Sequence, residues 1–325
     1  MKLLSFMKNK VLGSSIDYKI LPRKVKFDWE KTPVDWIPNQ PYASYFINEI
    51  NNILPAGEFW FCRLYNKVLP QVTDEKLKHD VQAFIRQEAM HAIAHTSANK
   101  EYLSQRNIDI QRNLEIMDFL FTKALADKPF GKEVPKVLDH QWDLFRLGVI
   151  ATVEHMTCVL GKYALYNKRW EELGADPEMI DLIKWHGSEE IEHRTVAFDL
   201  YRHLGGGYLA RYYLSVAVII GVLGLWVDGA AHIMSQDPRF ADKLKFDGFD
   251  DEVVSQLQDT SYENITRVIA QYADGLNIAS ETISPELQKI FDEATCLKQE
   301  YVAEENQTKV MSEFFNKVIE ETVLI

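Results

Sequence analysis

The sequence of 325 residues has few cysteines and a deficit of basic side chains. Its three cysteines, Cys62, Cys158 and Cys296, are widely spaced and form no C-x-x-C pair. This spacing argues against a disulfide framework or a zinc finger and favours reduced thiols. Lys and Arg number 36 against 48 Asp and Glu, which gives a formal net charge of −12. Because nucleic-acid binding relies on clustered basic side chains, we expect no nucleic-acid partner.

The motifs of serine hydrolases and nucleotide-binding enzymes are also missing from the sequence. It contains no G-x-S-x-G elbow, no phosphate-binding loop and no dinucleotide fingerprint, so those classes of chemistry have no support. A secretory signal is not predicted either, because the apolar run Leu3–Met7 is short and is followed by Lys8 and Lys10. We therefore expect a cytoplasmic protein.

One long uncharged run stands out, although it falls just short of a membrane span. Residues 212–227 carry no charge, whereas a spanning helix needs at least about 17 apolar residues. Tyr212, Tyr213 and Trp226 lie near its ends, as aromatic residues do at a membrane interface. Three interpretations stay open: a buried helix, an apolar hairpin that dips into a membrane or gates a substrate, and a true span. The second predicts peripheral membrane association.

The spacing of apolar residues predicts an all-α protein, since strand-like alternation is scarce. Residues 1–40 contain three prolines and no helical period, so we expect an extended arm on the surface. Residues 41–235 are predicted to form a helical domain that includes the apolar helix 212–227, and residues 236–325 a C-terminal helical extension. Thr73 is the expected N-cap of the second helix, and the fifth is expected to run unbroken from Asp176 to Gly205.

Two predicted helices carry the same short motif, Glu-x-x-His. The first is Glu88 with His91, and the second is Glu190 with His193. A spacing of three places both side chains of a pair on one face of a helix, about 5–6 Å apart at Cβ. Each pair is therefore positioned to bind one metal ion together.

Two further glutamates, Glu58 and Glu154, lie in stretches that otherwise have the apolar composition of a helix core. A buried carboxylate that has no partner costs several kcal/mol, so such groups are paired, protonated or bound to metal. A metal site would account for both glutamates and for both Glu-x-x-His pairs. Surface ion pairs are the alternative, and they suit Glu189 and Glu192 better than Glu58 and Glu154.

Helical bundles that hold two metals use one Glu from each of two helices and a Glu-x-x-His pair from each of the other two. The order along this chain meets that requirement, and two divalent ions would neutralise four carboxylates. Carboxylate and imidazole ligands suit iron or manganese. We therefore predict two Fe ions, with Mn or a mixed Mn/Fe pair as alternatives, and the following ligands: Glu58, Glu88, His91, Glu154, Glu190 and His193.

These motifs resemble the ferritin-like di-iron carboxylate superfamily and, more closely, the bacterial family of predicted metal-dependent hydrolases. The resemblance covers about residues 19–235. It implies a ferritin-like four-helix bundle with a dinuclear metal site, plus extra C-terminal helices. The segments that carry it are Pro55–Phe59 (PAGEF), Phe84–His91 (FIRQEAMH), Thr152–His155 (TVEH) and Glu189–Asp199 (EEIEHRTVAFD).

Three other histidines lie close to these motifs in sequence. His95 and His186 are each one helical turn from a ligand pair, and each is predicted to be an extra ligand, a partner behind a ligand or a proton shuttle, or else an ordinary polar-face histidine. His155 is next to Glu154 but points about 100° away from it around the helix, so it is not expected to bind metal.

Three functions are compatible with such a site. In the first, two Fe(II) ions activate O2 to oxidise an apolar substrate, for which the apolar run suggests a fatty-acyl chain. In the second, a hydroxide that bridges the metals hydrolyses an ester, amide or phosphate. The third is non-catalytic iron binding or storage. We also expect a homo-oligomer, with a dimer as the simplest form.

Overall fold

The computed structural model describes residues 20–240 and the two residues 323–324. The predicted C-terminal helices and Cys296 lie outside the described residues, as do residues 1–19 of the predicted arm. Within them the protein is almost entirely helical, as expected. The α-helices are α1 (Pro41–Asn48), α2 (Ile50–Val68), α3 (Glu75–Ser97), α4 (Gln111–Asp118), α5 (Asp139–Tyr166), α6 (Arg169–Glu172), α7 (Pro177–Glu192), α8 (Val196–His203) and α9 (Tyr208–Ser235).

Short elements of other kinds connect or extend these helices. Strand β1 (Arg23–Lys24) pairs antiparallel with β2 (Val323–Leu324). Turns of π-helix extend α3 over Ala98–Leu103 and α4 over Phe119–Ala124. The 3-10 turns are Leu69–Gln71, Ser104–Arg106 and Pro129–Gly131.

The four helices that carry the predicted metal ligands pack as two pairs. Helix α2 has its most extensive contacts with α3, and α5 has its most extensive contacts with α7. Contacts of α3 with α7 and of α2 with α5 join the pairs. The inner faces of these helices therefore converge on one region, which lies between two clusters of buried apolar side chains.

The described part of the N-terminal arm, residues 20–40, is extended and lies along the helices, with exposed residues interspersed among buried ones. Trp29, Trp36 and Ile37 are at most 1% exposed. The indole of Trp29 donates a hydrogen bond to Ser97 Oγ at the end of α3, at 3.0 Å. Burial of these large apolar side chains stabilises the packing of the arm against the helices. The prolines of the segment predict an extended backbone but not which side chains are buried.

Two predicted helix boundaries need correction. Asp74, rather than Thr73, caps α3, because its side chain accepts a hydrogen bond from Leu77 N at 2.8 Å. The predicted fifth helix is broken, since α7 ends at Glu192 and a new helix begins at Val196. His193 is the C-cap of α7, with φ −101° and ψ 11°. The Glu190–His193 pair therefore lies across the end of the helix and not in its middle.

Helix α9 contains the uncharged run and extends beyond it at both ends. Leu209, Tyr213 and Ile220 are 62–71% exposed, whereas Ala230 and Ile233 in its second half are buried. The buried-helix interpretation is therefore wrong for the first half of α9. Among the described residues, α5 and α9 are long and apolar enough to cross a membrane. In the most apolar 18-residue stretch of each helix, 44% of α5 and 28% of α9 is buried. Length and composition are weak evidence for a span, so membrane contact stays a prediction.

Two glycines allow α5 and α7 to pack closely. A Cβ atom added to Gly161 would lie 2.6 Å from the backbone oxygen of Gly187, and one added to Gly187 would lie 2.6 Å from Gly161 Cα. Backbone atoms cannot move aside as a flexible side chain can. The two helices therefore need glycine at both positions, and this close contact brings Glu154 on α5 near Glu190 on α7.

Gly187→Ala is expected to lower the free energy of unfolding by about 2 kcal/mol, because the added methyl group forces the two helices apart. It is also expected to weaken metal binding. Urea denaturation and metal content measure the two effects. Gly221→Ala is the control, since a Cβ there meets no atom within 4 Å and alanine favours a helix. Equal stability of the two variants would show that the close packing is not needed.

A buried carboxyl group, Glu49, lies where α1, α4 and α9 meet. It accepts hydrogen bonds from the carboxamides of Asn52 and Asn113 at 2.7 and 2.8 Å. Burial raises its pKa to about 8, and nearby Asp228 adds to the rise whereas Arg112 opposes it. A folded-state pKa above the unfolded value means that the group stabilises the fold at acidic pH and that this contribution is lost as the pH rises towards about 8.

Glu49→Gln is therefore expected to change the pH dependence of folding. Between about pH 6 and pH 8 the wild type should lose about 2 kcal/mol of stability relative to the variant. Chemical denaturation across this range measures the difference. The exposed Glu75→Gln change controls for the loss of one carboxyl group. Parallel stability curves for the wild type and Glu49→Gln would contradict the assignment.

Candidate metal centre

The structure brings together all six predicted ligands and both neighbouring histidines. Each of the eight side chains is at most 5% exposed. Within each group the atoms that could bind a metal lie within 4.8 Å of one another. The four groups are Glu88–Glu154–Glu190–His193, Glu58–Glu88–His91, His91–His186–Glu190 and Glu58–His95–His186.

The first group surrounds the Nε2 atom of His193. This atom lies 3.1 Å from Glu154 Oε2 and 3.3 Å from oxygens of both Glu88 and Glu190. Helices α3, α5 and α7 each contribute a carboxylate, and the break after Glu192 places the imidazole among them. Three carboxylates and one imidazole are a donor set that suits a divalent metal ion.

Two of the other groups contain His91, and the last consists of Glu58, His95 and His186. Its Nδ1 atom lies 3.5 Å from Glu88 Oε1 and 3.6 Å from Glu190 Oε1. Glu58, from α2, belongs to the same region, and its Oε1 lies 3.7 Å from His186 Nε2. Glu88 and Glu190 each belong to two groups, so these two carboxylates connect the surroundings of His91 with those of His193.

Several polar atoms in this cluster have no hydrogen-bond partner among the described residues. They include both carboxylate oxygens of Glu58 and of Glu88, Glu154 Oε2 and His91 Nδ1. Leaving such atoms buried and unsatisfied costs about 1–3 kcal/mol each, and more when the group is charged. Many such atoms lie close together in this cluster, which fits a metal site. A cation would be coordinated by the oxygen and imidazole lone pairs that accept no hydrogen bond.

Two polar side chains that were not among the predicted site residues, Gln87 and Glu189, orient the imidazoles. Gln87 Oε1 lies 2.9 Å from His193 Nδ1, and Glu189 Oε2 lies 3.1 Å from His91 Nε2. With these nitrogens donating, His193 presents Nε2 and His91 presents Nδ1 to the carboxylates. Metal-binding histidines commonly donate their second ring N–H to such a partner, which sets the tautomer and the orientation of the ring.

Arg23 from β1 holds one of these partners in place. Its guanidinium donates to Glu189 Oε1 at 2.9 Å and makes two bonds to Glu192, at 2.9 and 3.0 Å. Glu189 and Glu192 are ion-paired, as expected, but the pairs are buried and not on the surface. Arg23 has no motif around it, so only the three-dimensional structure shows that it supports the site.

The protonation states of the cluster follow from burial and mutual repulsion. Burial raises the pKa of Glu58 and of Glu154 well above the usual range, and the neighbouring carboxylates raise both further. Burial raises the pKa of Glu88 to about 8. Burial alone would raise the pKa of Glu190 and lower that of His193, but the attraction between the two groups outweighs it. The pKa of Glu190 therefore lies well below its ordinary value, and the pKa of His193 lies well above its own. Metal binding must therefore displace protons from several carboxyl groups.

His95 and His186 are connected to the cluster and are not ordinary polar-face histidines. His95 Nε2 lies 2.6 Å from His186 Nδ1, and His186 Nε2 lies 2.7 Å from Glu190 Oε1. Burial lowers the pKa of each imidazole, and each is lowered further by neighbouring histidines. His155, by contrast, is exposed, in agreement with its predicted orientation away from Glu154.

A known family matches the chain over most of its length. Residues 21–282 match the family described as predicted metal-dependent hydrolase, and the chain belongs to this family. No curated protein and no solved structure gives a significant match. Metal dependence in the family's description agrees with the buried cluster of carboxylates and imidazoles, whose potential metal-binding atoms converge in the structure.

Proposed function

We propose that this protein is a metal-dependent hydrolase whose catalytic centre is a pair of divalent ions bound in the buried cluster. Glu154 and His193 would hold one ion and Glu58 and His91 the other, and Glu88 and Glu190 lie within reach of both places. Such a centre in a four-helix arrangement is the basis for proposing a ferritin-like bundle. Four carboxylates and two divalent ions make the buried site electrically neutral.

The observation that carries the proposal is the set of unsatisfied carboxylate oxygens of Glu58, Glu88 and Glu154. A cluster of acids without cations is costly to bury, and the described residues supply no Lys or Arg within it. Apolar side chains of similar volume often serve a structural core as well as buried ionic groups or better. Four glutamates at one buried place are therefore best explained by metal ions.

Around this centre the chain's own residues bind, orient and exclude water. Bound divalent metals would supply Lewis acidity for hydrolysis or, if they are ferrous ions, electrons for the reduction of O2. Gln87 and Glu189 fix the imidazoles, and His186 holds Glu190 through its Nε2 atom. Phe84 and Trp185 cover His193 and His91, with ring centroids 4.6 and 5.0 Å apart, and thereby limit access of water.

Oxidation of an apolar substrate by O2 at a di-iron centre is the second candidate function. It is favoured by the donor set, in which carboxylates outnumber imidazoles and no thiolate takes part among the residues of the cluster. We favour hydrolysis over oxidation because the description of the family names it. Iron storage is not proposed, since nothing in the described region indicates a self-assembling cage.

The two candidates are separated by loading the protein with Fe(II), Mn(II) or Zn(II) without oxygen and then admitting air. Turnover of esters or amides that does not depend on O2, with Mn or Zn as effective as Fe, supports hydrolysis. Consumption of O2 with a new absorption band, seen with Fe(II) alone, supports oxidation instead. A protein that holds no stoichiometric metal under any of these conditions overturns both.

A further inference from the structure

A cleft with a volume of about 710 Å³ lies on the outer side of α2, beyond the face that carries Glu58. It is bounded by α2, the π-turn that extends α3, and α4. Small-molecule sites are typically about 300–1,000 Å³ and mostly apolar. One wall of this cleft is apolar and consists of Pro55, Ala56 and Phe59 from α2, with Ile110, Leu114 and Met117 from the region of α4.

The opposite side of the cleft is polar. Thr96, Asn99 and Lys100 line it, and Lys100 is the one cation among the lining residues. Lys100 is exposed and makes no ion pair with any other residue in the described ranges. The only lining carboxylate, Asp109, accepts a hydrogen bond from Gln111 N at the start of α4, at 2.9 Å. The cleft therefore combines an apolar wall with a polar rim that carries one cation, Lys100, and one carboxylate, Asp109.

The polar side adjoins the candidate metal centre. Asn99 lines the cleft and donates to the backbone oxygen of Asn51 at 2.5 Å. The side-chain oxygen of Asn51 lies 2.8 Å from His95 Nδ1, and His95 belongs to one of the potential metal-binding groups. Asn99 and Asn51 thus connect the lining of the cleft to His95 of the cluster through two hydrogen bonds.

The local backbone also points to function at this place. Asn99 and Lys100 lie in the π-turn Ala98–Leu103, and π-turns inside helices occur frequently at functional sites. Asn107, which also lines the cleft, has a positive φ of 59°. Oδ1 of Asn99 has no hydrogen-bond partner in the described part of the chain, although the residue is only 5% exposed. The left-handed conformation is ordinary for an asparagine that ends a helical turn, so the π-turn and the unsatisfied oxygen of Asn99 are the features that mark this side of the cleft.

We propose that this cleft binds the substrate of the metal centre and that the substrate is an acyl compound with an apolar chain. The chain lies along Ala56, Phe59 and Leu114, and its polar head faces Asn99 and Lys100, on the side that is connected to His95. Hydrolysis of an ester or amide at this head adds water, releases the alcohol or amine, and leaves the acyl chain as a carboxylate near Lys100, for which decanoate is the probe. This assignment rests on the proposed function, because it takes the cluster to be the place of reaction.

The test measures binding of decanoate and of 1-decanol to the full-length, metal-loaded protein by calorimetry. Ala56→Trp and Leu114→Trp fill the cleft from two different helices. Val137→Trp, at a residue that is 80% exposed and outside the cleft, is the control. We expect each cleft variant to weaken decanoate binding at least about tenfold while metal content stays at the wild-type value, and the control to change neither.

Lys100→Gln tests the position of the head group. It is expected to weaken binding of decanoate about fivefold and to leave binding of 1-decanol unchanged. Unchanged decanoate affinity in a folded cleft variant overturns the proposal, even if two metals are bound. Loss of decanoate binding in both cleft variants supports the assignment of the cleft as the binding site. If the wild type nevertheless binds no metal, the proposed function is overturned while the binding site stands. Equal loss of decanoate and decanol in Lys100→Gln overturns the orientation of the ligand.

Discussion

Glu154→Ala is expected to reduce the bound metal from two ions per chain to one or none and to lower activity more than about 100-fold. Glu154 is the carboxylate from α5, and its Oε2 faces His193 Nε2 at 3.1 Å without a hydrogen-bond donor of its own among the described residues. Its removal would leave a metal ion bound at His193 with one ligand fewer. Elemental analysis of the purified variant and assay of the same sample measure both effects.

The same variant makes a second, independent measurement possible. Metal that binds only the folded state stabilises it, so a chelator should lower the melting temperature of the wild type. Glu154→Ala should show little response to the chelator. Glu172→Ala, in which an exposed carboxylate of α6 is removed, should behave as the wild type. Retention of two metals by Glu154→Ala would refute the assigned ligand set.

Arg23→Met is expected to destabilise the protein by about 3–5 kcal/mol, the cost typical of breaking a buried ion pair from one side. The variant would leave Glu189 and Glu192 buried without their cation. It would also release Glu189, whose second oxygen holds His91 in its orientation. We therefore expect weaker metal binding together with the loss of stability, as measured by denaturation and by metal titration.

Lys76→Gln provides the comparison for this variant. Lys76 pairs with Asp80 at 2.6 Å on the surface of α3, where such pairs contribute less than about 1 kcal/mol. A similarly small effect for Arg23→Met would contradict the role of Arg23. Normal metal affinity in a strongly destabilised Arg23→Met variant would show that Arg23 stabilises the fold without orienting His91.

The convergence of the candidate site could be predicted from sequence because its signals are local. Each signal departs from the expected composition of a helix core: two are Glu-x-x-His pairs, and two are single glutamates in apolar runs. A metal site is the one explanation that they share. The structure places Glu58, Glu88, Glu154 and Glu190 together. Binding of metal by these residues, and the identity of the metal, stay predictions.

The residues that support the site could not be predicted, because their partners are far away in sequence. Arg23 meets Glu189 across 166 residues, and Gln87 meets His193 across 106. No local pattern marks such pairs. The break after Glu192 was missed for a related reason, since tertiary contacts of His193 override a helical pattern that looks continuous. The sequence leaves the surroundings of α9 open, because hydropathy alone does not show whether another element covers a helix.

The most direct test of the account is the metal content of the full-length protein after reconstitution and removal of loosely bound ions. Elemental analysis should give two divalent ions per chain for the wild type, about one or none for Glu154→Ala, and two for Glu172→Ala. The absence of stoichiometric metal from the wild type, or a content that none of these substitutions changes, would contradict the claim that the buried carboxylates form a metal centre.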